Sequence, residues 1–384
     1  LLQSPSLTSQ ADLFLRFFDR QCVGVTGTKG KSTVTHLIYH LLQGEFPCLL
    51  AGNMGIPFFD ILPQLTAAHR VVCELSSHQL EQVHTPPQVG VLLNLYEEHL
   101  DHYVDFEAYQ RAKLHIAGGE ALVVNGDDPL VAARLEEWMT ARPGRVLNLS
   151  VFGRETAATA YAGRSCYRVE DRRLWHPEAL TTADGTPVFR FDAPHPLIGE
   201  HNERNLAAAL LAAKRMGGTY GRMLPRVASF QPLPHRLQYV GCYGGAHYFN
   251  DSISTIPQAC IAAVESVRRL PFVNGVSCLI IGGFDRDIDY TPLVDYLCAN
   301  PIKSIIFVGA AGRRVRLALE TRNALPGHAL CTDDYAELVP WAAAHTVPDT
   351  ACVLSPAAAS YDRFRNFEER GEVFMQLVKK QFKI

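Results

Sequence analysis

The chain has 384 residues, of which 36 are Lys or Arg and 39 are Asp or Glu, giving a net charge of −3. An apolar fraction of 47% with 20% charged residues is typical of a globular protein of two or three domains. Without a basic run the sequence argues against nucleic acid as a partner. Without a signal peptide or a long apolar run it argues against secretion and membrane insertion.

The 10 cysteines are scattered singly and form no C-x-x-C pair. Several lie in apolar runs, such as Cys73 after Val71 and Val72. We therefore predict reduced core thiols in a cytoplasmic protein.

The first part of the chain predicts a doubly wound α/β domain. Residues 1–20 contain an extended Ser/Pro segment and a short amphipathic piece, and we expect a linker there. From residue 22 apolar strands alternate with helical patterns, which predicts a P-loop-type, mostly parallel sheet with helices on both faces. The predicted strands are 22–26, 47–50, 70–74, 89–95 and 121–125, and the predicted helices are 31–43 and 105–117.

Residues 150–195 change to short alternating runs with an Asp184-Gly185 turn, which predicts a small antiparallel extension of the same domain. A helix is predicted from Asn202 to Met216. Pro232 and Pro234 then mark a boundary between a central domain, 21–230, and a C-terminal domain, 231–384. The pattern restarts there and predicts a smaller Rossmann-like α/β domain, with strands 246–250, 277–282, 303–308 and 351–354 and helices 257–269, 291–298, 312–321 and 366–381.

A phosphate-binding loop is predicted between the first strand and the first helix. Its glycines let successive N–H groups point at phosphate oxygens, its second lysine adds a cation, and its serine offers a hydroxyl to Mg²⁺. The strict motif has glycine where this chain has Val25, so a chance loop is the alternative, which the flanking strand and helix disfavour. The loop residues are Gly27, Thr28, Lys29, Gly30, Lys31, Ser32 and Thr33.

Polar residues follow two later strands. Glu74 would point from the carboxyl end of a parallel strand into the ligand crevice, where it could hold Mg²⁺; a solvated surface glutamate is the alternative. In the stretch from Asn94 to Tyr103, His99 could reach a metal as a neutral imidazole, although a plain loop histidine carries equal weight. Lys113 by itself is uninformative, because a lysine on a helix face is normally solvated.

Together these residues resemble the Mur ligases, the ATP-dependent amide-bond ligases that build the stem peptide of peptidoglycan. The resemblance covers the chain from about Ser9, and its later stretches are most similar to the members that add glutamate to UDP-N-acetylmuramoyl-L-alanine. The matching stretches are 27–33, 52–55, 74–77, 98–101, 112–114, 201–205, 234–236, 250–252 and 354–371.

The resemblance implies a role for each matching position. Residues 27–33 would bind the ATP phosphates, Asn202 and Asn205 the adenine, Asp251 the ribose and Arg236 the γ-phosphate. Ser32 and Glu74 would lie near one Mg²⁺. His99 and Lys113 would hold a second Mg²⁺, with Lys113 as a carbamate, because an amine is a poor ligand for this hard cation. Lys31, Glu74, His99, Lys113 and Arg236 would be the catalytic set.

The substrates implied are UDP-N-acetylmuramoyl-L-alanine, contacted by Asn53 and Ser76, and glutamate. Thr255, Ser360, Tyr361 and Phe367 would line the glutamate pocket. Where the family often has lysine this chain has Ile253 and, after a Gly-Gly turn, Arg286, whose planar guanidinium can grip a carboxylate. These departures leave the stereochemistry of the glutamate open, with D-glutamate as the main prediction and L-glutamate as the alternative.

The implied reaction transfers a phosphoryl group from ATP to the alanyl carboxylate, and the glutamate amine then attacks the acyl phosphate. Arg236 begins the second domain, so we expect domain closure during the reaction. The family's N-terminal uridine-binding domain has no counterpart in these residues, and we expect 1–20 to be its remnant. We predict a monomer. The alternatives are a folylpolyglutamate or cyanophycin-type ligase and a P-loop nucleotide-binding module without ligase activity.

Overall fold

The computed structural model describes residues 8–53, 55–97, 102–154, 159–175, 179–190 and 197–383. The chain forms two compact units, which divide between Gln231 and Pro232. Each unit is built around its own β-sheet.

The first unit alternates strands and helices along most of its length. Its described elements are α1 (Gln10–Phe18), β1 (Cys22–Thr26), α2 (Lys31–Leu42), β2 (Cys48–Gly52), β3 (Arg70–Glu74), α3 (Ser77–Leu80), β4 (Val89–Leu92), α4 (Phe106–Lys113), β5 (Ala121–Asn125), α5 (Pro129–Thr140), β6 (Leu147–Gly153), β7 (Tyr167–Trp175), β8 (Ala179–Thr181), β9 (Pro187–Arg190), α6 (Glu200–Arg215) and α7 (Tyr220–Val227).

These strands form one sheet in the order β2-β3-β1-β4-β5-β6-β7-β8-β9. Pairing is parallel from β2 to β7 and antiparallel for the last two strand pairs. Successive residues of β5 pack into two different hydrophobic cores. Leu122 and Val124 pack with one cluster, and Val123 packs with the other. Because a strand alternates its faces, apolar residues at every position mean that both faces are covered. The predicted doubly wound, mostly parallel sheet is confirmed.

The structure of the first unit differs from the predicted elements at several places, among them the following. The stretch before residue 20 contains the helix α1, whose Phe14 and Leu15 are buried in the core of the first unit. Strand β4 stops at Leu92, before the predicted end at 95. The predicted antiparallel extension is correct for β8 and β9, which flank the turn at Gly185, but β7 pairs parallel to β6.

The second unit repeats the pattern on a smaller scale. Its described elements are β10 (Gln238–Tyr243), β11 (Ala246–Asn250), α8 (Pro257–Arg268), β12 (Val276–Gly282), α9 (Thr291–Ala299), β13 (Ser304–Val308), α10 (Gly309–Thr321), β14 (His328–Cys331), α11 (Tyr335–His345), β15 (Ala351–Leu354) and α12 (Phe367–Gln381).

The second sheet has the order β10-β11-β15-β12-β13-β14 and is parallel except for the β10-β11 hairpin. All residues of β12 are buried, as expected of a central strand with helices on both faces. Strands β11, β12 and β15 therefore end at one edge of this sheet, where their following loops begin.

Two further sequence predictions concern the whole chain. Among the described residues, none of the helices has the length and apolarity needed to cross a bilayer. The core location predicted for the cysteines is correct for Cys73 and Cys278 but wrong for Cys242 and Cys331, which are exposed.

Candidate nucleotide and ligase site

The predicted phosphate loop connects the end of β1 to the start of α2. Gly27 and Gly30 have φ values of 149° and 90°, a region that favours glycine. A Cβ atom at Gly27 would lie 2.9 Å from the Cβ of Leu93, so the backbone here passes close to its neighbour. Gly30 caps α2 without a side-chain hydrogen bond. The first turn of a 12-residue helix thus faces the loop with its N–H groups, the arrangement that attracts phosphate.

Two lysine amines converge on this loop. Lys31 Nζ donates to the carbonyls of Gly27, at 3.0 Å, and Thr28, at 2.9 Å. Lys113 Nζ, at the end of α4, donates to the same Gly27 carbonyl at 2.9 Å. Lys113 is only 1% exposed, and its amine lies 4.7 Å from the centroid of the Tyr109 ring. Lys31 and Lys113 are far apart in the sequence but bind the same carbonyl in the structure. Lys113, which the sequence alone left uninformative, is buried there.

Glu74 lies at the end of β3, next to β1 in the sheet, and is 3% exposed. Its Oε1 accepts a hydrogen bond from Asn53 Nδ2 at 2.9 Å, whereas Oε2 is buried and has no hydrogen-bond partner among the described residues. A buried carboxylate oxygen of this kind carries a desolvation cost unless a cation or donor satisfies it. The arrangement therefore suits a cation ligand.

Ser76 follows Glu74 and caps α3. Its hydroxyl accepts from Gln79 N at 3.2 Å, and the Gln79 side chain accepts in return from Ser76 N, at 3.0 Å, which together form a capping box. Asn53 is exposed at the end of β2. The two residues predicted to contact the nucleotide sugar thus both border Glu74 at one edge of the first sheet.

His99 lies outside the described residues. Within the described ranges no three His, Cys, Asp or Glu side chains come close enough together to hold a metal ion. Of the predicted metal ligands, the described residues include Ser32, Glu74 and Lys113.

The residues predicted to face adenine lie on α6. Asn205 approaches the phosphate loop, since a Cβ atom at Gly30 would lie 2.8 Å from its Oδ1. Its Nδ2 donates to Asn202 Oδ1 at 3.2 Å, and Asn202 Nδ2 donates to the Ile198 carbonyl at 2.8 Å. Asn205 thus lies between the loop and Asn202, which is buried.

Arg236 lies near the start of the second unit, on a loop with unusual backbone geometry. His235 and Leu237, on either side of it, have φ values of 62° and 46°. Leu237 N donates to Asp251 Oδ1 at 3.0 Å, and Ile253 N donates to the His235 carbonyl at 3.2 Å. These bonds hold the strained loop against the residues that follow β11.

Asp251 is 4% exposed, and both carboxylate oxygens already accept hydrogen bonds. Oδ1 takes the Leu237 N–H, and Oδ2 takes the hydroxyls of Ser254 and of Ser355, the latter at 2.8 Å. Burial raises the pKa of Asp251 to about 6, although these hydrogen bonds oppose the rise. The residue predicted to meet the ribose is thus also the point at which three loops of the second unit join.

The residues predicted for the glutamate pocket surround the carboxyl ends of β11, β12 and β15. Phe284 N donates to the Ala359 carbonyl at 2.9 Å, which ties the loop after β12 to the loop after β15. Arg286 and Tyr361 extend from these two loops, with the guanidinium 5.5 Å from the ring centroid. Tyr361 is 62% exposed, whereas Ser360 is buried. Thr255 follows β11, and Phe367 begins α12.

Sequence reasoning missed two residues at these sites. The hydroxyl of buried Tyr109 lies 3.0 Å from Thr28 Oγ1, and the signal that could have revealed it is its position one helical turn before Lys113. Arg370, on α12, is 1% exposed and donates to Ser252 Oγ and to the carbonyls of Ser252, Ala358 and Ala359. Arg370 lies within the stretch 354–371 that resembles the family, but no role was inferred for it from that resemblance.

The fold and the glycine-rich turn between β1 and α2 define the class: an α/β protein of the phosphate-loop type. Residues 25–213 match the model of the Mur ligase middle domain. A UDP-N-acetylmuramoyl-L-alanine--L-glutamate ligase of a Micromonospora species is 34% identical over 97% of this chain and 77% of its own length. A UDP-N-acetylmuramoylalanine--D-glutamate ligase of Geotalea uraniireducens is 35% identical over 98% and 78%.

Among solved structures, MurF ligase from Thermotoga maritima in complex with ADP superposes with a TM-score of 0.67 at 18% identity, covering 97% of this chain and 82% of that one. The chain belongs to the Mur ligase family. It is an acid–amino-acid ligase, because its relatives over nearly the whole length are named as such ligases. A nucleotide-binding module without ligase activity is therefore no longer a good description.

Proposed function

We propose that this ligase joins glutamate to UDP-N-acetylmuramoyl-L-alanine, using ATP and forming an acyl phosphate, with D-glutamate as the preferred amino acid. The observation that carries the proposal is the likeness over 97–98% of the chain to relatives named for this reaction. The loop at 27–33, with Lys31 and Lys113 beside it, supports a phosphate-transfer step.

ATP is the nucleotide that best fits the first unit. The N-terminus of α2 and the ammonium of Lys31 offer positive charge to the phosphates, and Asn202 and Asn205 offer amide groups to the base. The related MurF structure was solved with ADP. Lys31 Nζ, which donates to the Gly27 and Thr28 carbonyls here, would turn toward a phosphate oxygen when the nucleotide binds.

Magnesium fits the oxygen atoms present. Glu74 offers Oε2, which has no hydrogen-bond partner among the described residues, and Ser32, a half-buried residue, lies at the start of α2. Hard divalent cations prefer such oxygen ligands. Mg²⁺, when bound, would neutralise charge on the phosphates and on the acyl phosphate. We assign Ser32 and Glu74 to one ion, and His99 and Lys113 to a second.

We also propose that Lys113 is carbamylated, and its surroundings support this. Its amine shares the Gly27 carbonyl with the amine of Lys31 inside a buried site. Adding CO₂ to the Lys113 amine, with the two protons lost by the ammonium released to solvent, would replace one of the two positive charges with a negative charge and supply two oxygens as ligands. The same change would suit the Mg²⁺ preference for oxygen.

The second unit would bind the amino acid. Arg286 presents a guanidinium over the exposed Tyr361 ring, and a planar guanidinium binds a carboxylate through two hydrogen bonds. Thr255 and Ser360 lie on loops that follow β11 and β15, and Phe367 is the first residue of α12. Arg236 and Asp251 would contact the γ-phosphate and the ribose. We also propose the domain limits 21–230 and 231–384, with the helix α1, which precedes residue 21, packed into the core of the first domain.

The decisive experiment uses the full chain with ATP, Mg²⁺, UDP-N-acetylmuramoyl-L-alanine and each enantiomer of glutamate. We expect phosphate release only when all substrates are present, and a product heavier by one glutamyl group in mass spectrometry. Lys31→Met should lower kcat/KM by about 100-fold or more. The matched control is Lys214→Met, since Lys214 pairs with Asp171 on the opposite side of the unit. A rate of ATP hydrolysis that is the same with and without glutamate would overturn the proposal.

L-Glutamate is the second candidate, and a specific observation favours it. Relatives named for L-glutamate and for D-glutamate are almost equally similar to this chain, at 34% and 35% identity. The same assay separates the two, because kcat/KM is measured for each enantiomer.

A further inference from the structure

The phosphate loop is clamped by a residue to which neither the family resemblance nor the proposed function gives a role. Asn94 lies two residues beyond the end of β4. Its Oδ1 accepts the Lys29 N–H at 2.8 Å, and its Nδ2 donates to the Lys29 carbonyl at 3.0 Å. We call this reciprocal pair of bonds the Asn94 latch.

Further bonds make the latch part of a rigid frame. Thr28 N donates to the Asn94 carbonyl at 3.0 Å. The Thr28 hydroxyl accepts from Tyr96 N at 2.9 Å and donates to the Tyr96 carbonyl at 3.1 Å. Leu95 N donates to Asp128 Oδ2 at 3.0 Å, and Asp128 also caps α5 through its other oxygen. The segment 94–96 is therefore anchored to α5 on one side and holds the loop on the other.

An amide side chain is the group that fits this position. It offers one acceptor and one donor, which match the N–H and the C=O of a single backbone residue; a carboxylate lacks the donor. Because both polar groups of Lys29 are held by Asn94, the peptide planes on either side of Lys29 are fixed. The next residue, Gly30, then turns at φ 90° into the first turn of α2.

We propose that Asn94 is a positioning residue that pre-organises the phosphate loop for nucleotide phosphates; this rests on the proposed binding of ATP at residues 27–33. A loop already held in its binding conformation loses less conformational entropy when the nucleotide binds. Asn94 would thus strengthen nucleotide binding without touching the phosphates.

The test compares full-length wild type with Asn94→Ala, Asn94→Asp and a control, Asn148→Ala. Asn148 lies on β6, and its side-chain Nδ2 donates to the Glu120 carbonyl at 3.0 Å. ADP affinity is measured by calorimetry, steady-state kinetics give kcat and both KM values, and amide hydrogen exchange is followed at Lys29.

Loss of two hydrogen bonds should weaken ADP binding by between about 5-fold and about 30-fold in Asn94→Ala. KM for ATP should rise by a similar factor, whereas kcat and KM for glutamate change by less than about threefold. Exchange at the Lys29 amide should accelerate, and the midpoint of thermal unfolding should match that of Asn148→Ala. Asn94→Asp should bind ADP at least as weakly, because it places an anion against the Lys29 carbonyl.

If Asn94→Ala binds ADP with wild-type affinity, the proposed role of Asn94 is overturned and the proposed function is unaffected. Equal losses for ATP, glutamate and thermal stability also overturn it, because they indicate general unfolding. Failure of the wild type itself to bind ADP overturns the nucleotide proposal and the latch together.

Discussion

At the scale of single residues, burial separates groups that look alike in the sequence. Lys113 and Lys214 both lie near the end of a helix, but Lys113 is 1% exposed beside the phosphate loop and Lys214 forms a half-exposed ion pair. A buried amine must be satisfied by nearby groups, whereas an exposed one is satisfied by water. The difference in environment makes the two lysines a natural pair for mutation.

Lys113→Ala is expected to lower kcat by about 100-fold or more, because it removes the amine on which the proposed carbamate ligand for Mg²⁺ forms. Lys214→Ala should change kcat by less than about twofold. With ¹³C-bicarbonate, NMR should show a carbamate carbonyl in the wild type and in Lys214→Ala only. Full activity of Lys113→Ala in bicarbonate would contradict the assigned role.

Asp251 makes stability depend on pH. Burial raises its pKa from 3.8 to about 6, so between these values the folded chain keeps a proton that the unfolded chain has lost. Stability from this group therefore falls as the pH rises from about 4 to about 6, and above that it is lower by about 3 kcal/mol. The cost is the desolvation of the carboxylate, which its hydrogen bonds offset only in part.

Asp251→Asn should remove this dependence. We expect a free energy of unfolding higher by about 1 to 3 kcal/mol at pH 7 and unchanged at pH 4, because the amide is neutral at both. Denaturant titrations at several pH values would measure it, with Asp287→Asn as the control for a fully exposed aspartate. Equal gains at pH 4 and pH 7 would show that the effect is packing and not charge.

At the scale of elements, the end of β2 is packed directly onto Glu74. Gly52 is the last residue of β2, with φ 104°, and a Cβ atom there would lie 2.1 Å from the Glu74 carbonyl oxygen. Gly55, three residues later, has φ 85° but meets nothing within 4 Å of such a Cβ. Substitution at Gly52 would therefore cause both steric overlap and backbone strain, whereas substitution at Gly55 would cause backbone strain alone.

Gly52→Ala should destabilise the chain by about 2 to 5 kcal/mol and displace Glu74, because the strand must move away from its neighbour. Gly55→Ala should cost about 1 kcal/mol, through its positive φ alone. Denaturant unfolding gives both values, and the Mg²⁺ dependence of ATP turnover should change only in Gly52→Ala. Equal costs at the two positions would refute the overlap argument.

At the scale of the molecule, each unit has its own core. In the second unit Phe374 of α12 is completely buried in a cluster that includes residues of β11, β12 and β15. In the first unit two clusters cover the two faces of the sheet. A cavity made in one core should therefore act first on the strands that line it.

Phe374→Ala is expected to lower the stability of the second unit by about 3 to 5 kcal/mol, the usual cost of a large buried cavity. Hydrogen exchange should accelerate in β11, β12 and β15 and stay unchanged in β1 and β4. Phe272→Ala, at a side chain that is 50% exposed, is the control and should cost less than about 1 kcal/mol. Equal acceleration in β1 would mean that the two units unfold together.

Much of the fold was predictable because its signals are local. The apolar runs at β1, β3, β5 and β12 match the predicted strands within one residue, since a strand buried on both faces needs apolar side chains at every position. The short exposed strand β14 and the helix α1 were not predicted, because partial exposure leaves no such continuous signal.

The site divides in the same way. The sequence by itself determined the phosphate-loop motif, the glutamate at the end of β3 and the likeness to the Mur ligases, because each depends on residue types at short, fixed spacings. Only the tertiary structure decided that Lys31 and Lys113 share the Gly27 carbonyl, that Asn94 holds Lys29, and that Arg370 is buried beneath two loops. These contacts join residues far apart in the chain, so they depend on how strands and helices pack and leave no periodic trace in the sequence.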